Sequence, residues 1–251
     1  MKLLIGCATD RGMIREKNQD RAICLKGTIG LNQVAICCVC DGIGSFENSE
    51  RAAEMVTEGI RQWFNGIQEI FPQNIEKESL VNDLEFTIRE LNDLVCEEKE
   101  QLLIELGCTM SIIFTIQKEF YIFHVGDSRI YCFRDLLTQI THDDVTMKSS
   151  SNGNVKNYLN NYIGKSRALF LNKINGTIEE RDVYILGSDG LYKQMIEQDL
   201  TTIRDIKNDS ELQQKCKSLI ETMILRGERD NISCAMIFFK KDKTSFFLKS
   251  G

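Results

Sequence analysis

Three apolar runs in this chain stop on an aspartate, and a fourth begins just after one. Val34 to Cys40 leads into Asp41-Gly42, Phe120 to Gly126 into Asp127, and Val183 to Ser188 into Asp189-Gly190. Asp230 stands at the entry to the run Ile232 to Phe239. Near-continuous apolar runs read as strands buried on both faces. A buried strand fixes the position of its last residue, so a carboxylate there can be aimed at a chosen point. Joined by the upstream Asn18-Gln19-Asp20, these carboxylates would line a pocket with oxygens that hard cations neutralise. The pattern points to a two-metal hydrolase.

Taken singly, Asp-Gly is an ordinary turn, because Asp bonds its own downstream backbone and Gly turns freely. The joint pattern resists that reading. Asp41 and Asp189 each follow a strand and precede a glycine, which lets the backbone come close to an ion and offer its carbonyl as a ligand. Converging carboxylates also repel one another unless cations hold them. Oxygen donors without paired histidines favour Mg or Mn over Zn.

The bulk numbers set limits. At 251 residues, with 42% hydrophobic and 27% charged residues, the chain can bury a sizeable core. Its one proline is Pro72 and no linker-like stretch interrupts it, so residues 1–242 are expected to form a single domain, with a short basic tail over 243–251. A net charge of -6 argues against nucleic-acid binding, which needs Lys and Arg against phosphates. No run is long enough to cross a membrane, and the opening apolar stretch is too short for a secretory signal. A cytoplasmic protein is expected. The ten cysteines are scattered and lie mostly in apolar runs, so they read as small buried hydrophobes with free thiols.

Along the chain, strands are expected at 3–8, 21–26 and 34–40. A helix capped by Asn48 or Ser49 carries Ala52, Ala53, Val56, Ile60 and Phe64 on one face. A loop over 66–77 precedes a second helix from Ser79, with Leu80, Leu84, Ile88, Leu91 and Val95 on its stripe. Strands follow at 109–117, 120–125 and 130–134, the first two at hairpin spacing. Residues 142–164, with Ser149-Ser150-Ser151-Asn152-Gly153-Asn154, read as a loop or a short helix followed by one. Strands at 168–171 and 181–187, helices at 191–196 and 210–225, and a strand at 232–240 complete the pattern. Helical pairs inserted among many strands indicate α+β.

Read in order, the motifs resemble the type-2C metal-dependent Ser/Thr protein phosphatases in their compact bacterial form. The resemblance begins at Thr9-Asp10, Gly12, Arg15 and Asn18-Gln19-Asp20 and continues through Val39-Cys40-Asp41-Gly42-Ile43-Gly44 and Gly107-Cys108-Thr109. Val125-Gly126-Asp127-Ser128-Arg129, Thr141-His142-Asp143, Ser188-Asp189-Gly190-Leu191 and Asp230-Asn231-Ile232-Ser233 complete it. It implies a four-layer α-β-β-α sandwich, with two central, mainly antiparallel sheets flanked by helix pairs.

The resemblance also implies roles. Asp41, Asp189 and Asp230 would bind a first Mn or Mg ion. Asp41 would bridge to a second, which the Gly42 carbonyl also binds and Asp20 reaches through water. Asp127 with Asp189 matches a weaker third site. Arg15 would grip the substrate phosphate with its planar fork. The implied reaction is hydrolysis of phosphoserine or phosphothreonine by a hydroxide bridging the two ions. Phosphorylated proteins would be the substrates and a Ser/Thr kinase the functional counterpart, with the enzyme a monomer. Asp41, Asp189 and Asp230 are all present, which weighs against a pseudophosphatase that only binds phosphoproteins. A small phosphorylated substrate stays open, because the flap that guides substrate choice is shortened here. Three positions depart from the family. Ser45 follows Gly44, Ile43 stands where some members carry a histidine acid, and Asp144 stands where the family usually has His. His124, inside a strand, reads as structural, His142 as a loop residue, and Cys40 as a strand residue without the electropositive setting of a reactive thiolate.

Overall fold

The computed structural model describes residues 1–46, 48–70, 76–149 and 155–241. The strands are β1 (Lys2–Asp10), β2 (Arg21–Ile29), β3 (Asn32–Cys40), β4 (Met110–Ile116), β5 (Glu119–Val125) and β6 (Arg129–Phe133). They continue as β7 (Leu137–Gln139), β8 (Val145–Ser149), β9 (Val155–Leu159), β10 (Asn172–Thr177), β11 (Val183–Gly187) and β12 (Ile232–Lys240). The helices are α1 (Ser49–Ile70), α2 (Lys77–Leu102), α3 (Asp189–Tyr192) and α4 (Asp209–Leu225). Two antiparallel sheets have the orders β1-β12-β11-β6-β7 and β10-β5-β4-β3-β2, and β8 and β9 form a separate hairpin.

The layering follows from strand periodicity. Alternate residues of a strand face opposite sides, so in β3 Val34, Ile36, Cys38 and Cys40 join the core under α1 and α2. Ala35, Cys37 and Val39 meet Tyr184, Ala235 and Ile237 of the other sheet. Both faces are therefore buried, which is why β3 is apolar throughout. The helical stripes read from sequence, Ala53, Val56, Ile60 and Phe64 with Leu84, Ile88 and Val95, cover the first face. Leu212, Cys216, Leu219 and Met223 of α4 cover the outer face of the second sheet against Leu4, Met236 and Phe238. The order helix, sheet, sheet, helix is the expected four-layer sandwich.

Antiparallel pairing explains why Asp230 precedes its strand while the other aspartates follow theirs. Gly187 at the end of β11 pairs with Cys234 near the start of β12, and Asp10 at the end of β1 pairs with Ile232. In the other sheet, Cys40 at the end of β3 pairs with Arg21 at the start of β2. Strand ends and strand starts thus meet at one end of the sandwich.

Several local expectations are corrected. Helix α1 continues to Ile70 instead of ending before 66; Pro72 and the centre of the polar run, 150–154, lie outside the described residues, as does the tail at 243–251. Residues 145–149 and 155–159 pair as β8 and β9, with Val145 opposite Leu159 and Met147 opposite Asn157, in place of a loop or short helix. These strands carry few apolar residues, so period-two hydrophobicity gave no signal. For the same reason the edge strand β10 (sequence NKINGT), half of it exposed, went unread, and 168–171 is not a strand. Helix α3 is a single turn ending at Tyr192.

The cysteines also differ from expectation. Cys24 and Cys37 stand opposite each other in the β2–β3 register and are joined as a disulfide. Such pairing depends on strand register, which composition does not reveal. Cys37 and Cys40 have C-x-x-C spacing, yet the strand sends them to different faces.

Candidate metal centre

A cleft of about 120 Å³ at the shared end of the sheets is lined by Arg15, Gln19, Asp41, Gly42, Thr109, Asp127, Leu159, Asp189, Asp230 and Asn231 among others. Asp20 lies buried beside it, 1% exposed. The sequence-read residues Arg15, Asp20, Asp41, Gly42, Asp127, Asp189 and Asp230 therefore come together. None is stranded elsewhere.

Each is held by its own local structure. The Asp41 backbone is clamped to the start of β4: its N–H donates to Thr109 Oγ1 at 3.0 Å, and its carbonyl accepts from Thr109 N at 2.8 Å. Thr109 Oγ1 lies 2.6 Å from Ser128 Oγ, which ties this clamp to the segment carrying Asp127. Gly126 adopts φ 103°, a left-handed conformation that favours glycine. Asp144, the residue in place of the family's usual His, accepts from Gly126 N at 3.1 Å and Asn161 Nδ2 at 2.8 Å. The base of the β8–β9 hairpin is thereby fastened beside Asp127, and Leu159 of that hairpin reaches the cleft.

The glycines after Asp41 and Asp189 have a packing reason. A Cβ on Gly42 would lie 2.8 Å from the Gln19 carbonyl oxygen, and one on Gly190 would lie 2.2 Å from the Asn231 carbonyl oxygen. Neither has positive φ, so the Asp-Gly pairs mark close backbone crossings rather than turns. Replacing Gly190 by Ala is expected to force the start of α3 away from Asn231. Because a backbone oxygen cannot yield as a side chain can, the cost should be about 2–3 kcal/mol. Urea denaturation measures it, and a loss under 0.5 kcal/mol would contradict the crossing.

Buried polar residues within the motifs, to which the sequence attaches no role, stitch the centre together. Asn231, 4% exposed, accepts from Gln19 N and donates to the carbonyls of Arg11 and Lys17. The loop carrying Arg15 is thereby bound to the residue after Asp230. Ser188 Oγ donates to Asp20 Oδ2 at 2.7 Å and accepts from Ser233 N at 2.9 Å. The available signal was polar residues at the ends of otherwise apolar strands.

The electrostatics are those of crowded acids. Burial raises the Asp41 carboxyl well above the usual range, and repulsion from Asp20, Asp189, Asp127 and Asp230 adds to it. Asp20 is pushed up to about 7, first by burial, and Asp127 to about 6, first by burial and then by Asp189. Asp20 Oδ1 is buried and no donor reaches it. Two carboxylates are met by the chain's own cations. Arg15 donates to both oxygens of Asp230 at 2.8 and 2.7 Å, and Lys193 Nζ lies 2.5 Å from Asp189 Oδ2. As they stand, no three acidic, His or Cys side chains among the described residues form a closed ligand cluster. The donor set nevertheless fits hard divalent ions: all oxygen, over-charged, with a partnerless buried acceptor.

His124 is buried between Ser111 Oγ, 2.9 Å from its Nδ1, and the His142 carbonyl, 3.1 Å from its Nε2. Burial lowers its pKa, so it is a neutral structural histidine, as expected.

A centre of converging carboxylates and an arginine fork defines a metal-dependent hydrolase acting on phosphoryl groups. Residues 15–201 match the family model for protein phosphatase 2C, and the chain belongs to that family. It is 27% identical over 253 residues to a provisionally named protein phosphatase of Mycoplasma genitalium, covering 94% of this chain and 95% of the other. It is 26% identical over 238 residues to the serine/threonine protein phosphatase PstP of Mycobacterium tuberculosis, covering 90% of this chain and 43% of that one. Its fold is similar to the catalytic domain of PstP solved with 2 manganese ions, at a TM-score of 0.72 and 22% identity over 95% of this chain and 99% of that one. The Streptococcus agalactiae serine/threonine phosphatase is also similar, with a TM-score of 0.75 and 20% identity over 95% and 100% of the two chains. The chain is a metal-dependent protein phosphatase.

Proposed function

We propose that this enzyme removes phosphate from phosphoserine and phosphothreonine in proteins, opposing a Ser/Thr kinase. The observation that carries the reading is the convergence of Asp20, Asp41, Asp127, Asp189 and Asp230 on one cleft together with Arg15. Asp41, Asp189 and Asp230 would hold a first Mn or Mg ion, and Asp41, the Gly42 carbonyl and, through water, Asp20 a second. Bound there, the ions supply Lewis acidity and an activated water. The protein supplies the rest. The Thr109 clamp holds Asp41 at its strand end, and the Ser188 hydroxyl orients Asp20. Arg15 grips Asp230 with a bidentate fork, and the same fork matches two phosphoryl oxygens once Asp230 serves as a ligand. Ile43 lines the cleft without a titratable group, so the leaving alkoxide takes its proton from water. Residues 1–242 are proposed to act as one catalytic domain, as a monomer and in the cytoplasm; among the described residues no helix is long and apolar enough to cross a membrane.

The test is turnover of p-nitrophenyl phosphate and of a phosphothreonine peptide with Mn²⁺. Both should be hydrolysed, and EDTA or Asp189→Asn should stop both. Robust turnover without metal would overturn the mechanism. Manganese bound without turnover would make the chain a phosphoprotein-binding regulator, and hydrolysis of small esters but not peptides would shift the substrate class.

A further inference from the structure

The Asp189–Lys193 pair asks for a reason beyond helix support. In a long exposed helix, an Asp and a Lys four residues apart add a few tenths of a kcal/mol. Here the helix is a single turn, Asp189–Tyr192, with Lys193 as its C-cap. Its Asp189 lines the cleft, so the Lys193 ammonium, on a side chain 49% exposed, is held at the rim of the centre by that carboxylate.

Lys193 is carried on a fixed support. Leu191 is 1% exposed, and the Tyr192 ring lies under the Arg129 guanidinium at 3.9 Å. Arg129 is itself gripped by Asp143, with contacts of 2.9 and 2.8 Å. The lysine stem therefore starts from a locked turn, and its ammonium is 2.5 Å from Asp189 Oδ2. Its charge is also felt by Asp127, where it favours the ionised form, and it faces Glu228 and Asp230 besides. One cation thus contacts Asp189 and adds its charge to the field at Asp127, the two carboxylates that would otherwise share a divalent ion.

We propose that Lys193 is a built-in cation at the Asp127–Asp189 locus, so that this centre saturates with two divalent ions and its third locus is filled by the lysine ammonium. The inference rests on the two-ion reading above and deepens it. A divalent ion there would have to displace an ammonium tethered to the next turn of chain. Asp189 keeps its other oxygen, Oδ1, for the core site, so the tether is compatible with the first ion.

The experiment counts ions instead of turnover. Metal-free protein is equilibrated with Mn²⁺ raised until binding saturates, and bound manganese is measured by equilibrium dialysis with elemental analysis. Wild type and Lys193→Arg should bind two ions per chain, and Lys193→Met should bind three. Adding Asp127→Asn to Lys193→Met should return the count to two. Lys193→Gln, which keeps a polar stem, is run beside the Met variant in case the latter folds poorly, with far-ultraviolet circular dichroism as the check on both. Three ions on wild type would overturn the inference, as would two on both neutral variants. No manganese on wild type would overturn the two-ion reading itself, a separate outcome.

Discussion

Asp41→Asn is expected to lower kcat/KM for a phosphothreonine peptide by about 10³-fold or more, roughly 4 kcal/mol of transition-state stabilisation. Asparagine keeps the shape and one oxygen but loses the charge that would serve both core ions. The same change should leave the metal-free protein at least as stable as wild type. Burial and four neighbouring acids raise the Asp41 pKa, and the sign follows from linkage. An acid whose pKa is higher when folded binds its proton more tightly in the native state. Stability then falls as pH rises from the ordinary carboxylate range toward the native value, and that penalty is fully present above it. A neutral amide removes the penalty. Thermal melts in EDTA and peptide kinetics in Mn²⁺ should therefore move in opposite directions. Loss of both activity and metal-free stability would show that Asp41 is held for packing, not for charge.

Phe114→Ala is expected to cost about 3–5 kcal/mol, the range for emptying a large buried aromatic site. Phe114 is fully buried in β4 and meets Trp63 of α1 edge-on, with ring centroids 5.5 Å apart and planes at 80°. It is thus a principal joint between one sheet and its helical layer. For a domain of this size the loss corresponds to a fall in Tm of roughly 6–20 °C. Urea unfolding followed by Trp63 fluorescence measures it. A loss below about 1 kcal/mol would mean the neighbours collapse into the space, which close packing of the surrounding core opposes.

Much of the sandwich was legible because its strands are buried on both faces and its helices carry one apolar stripe. Those patterns are local, and they return β3, α1 and α2 within a few residues of their observed limits. The hairpin β8–β9 and the edge strand β10 were not legible, since strands with little apolar surface leave no periodic trace. The Cys24–Cys37 bond was missed because it depends on which residue faces which across β2 and β3.

The aspartates divide along the same line. Their identity, their positions beside apolar runs and the glycines after two of them are facts of sequence, and it is their joint recurrence at strand ends that points to one purpose. Their convergence is not local. It needs the antiparallel registers that set the start of β12 beside the end of β11 and the start of β2 beside the end of β3. The cations that answer them belong to the tertiary structure as well. Arg15 is 215 residues from the Asp230 it holds; Lys193 is only four residues from Asp189, but the charge it adds at Asp127 depends on the fold. Chemistry confined to one residue type or one strand can be read along a chain. Charge balance at a point in space cannot, because it is set by residues that only folding makes neighbours.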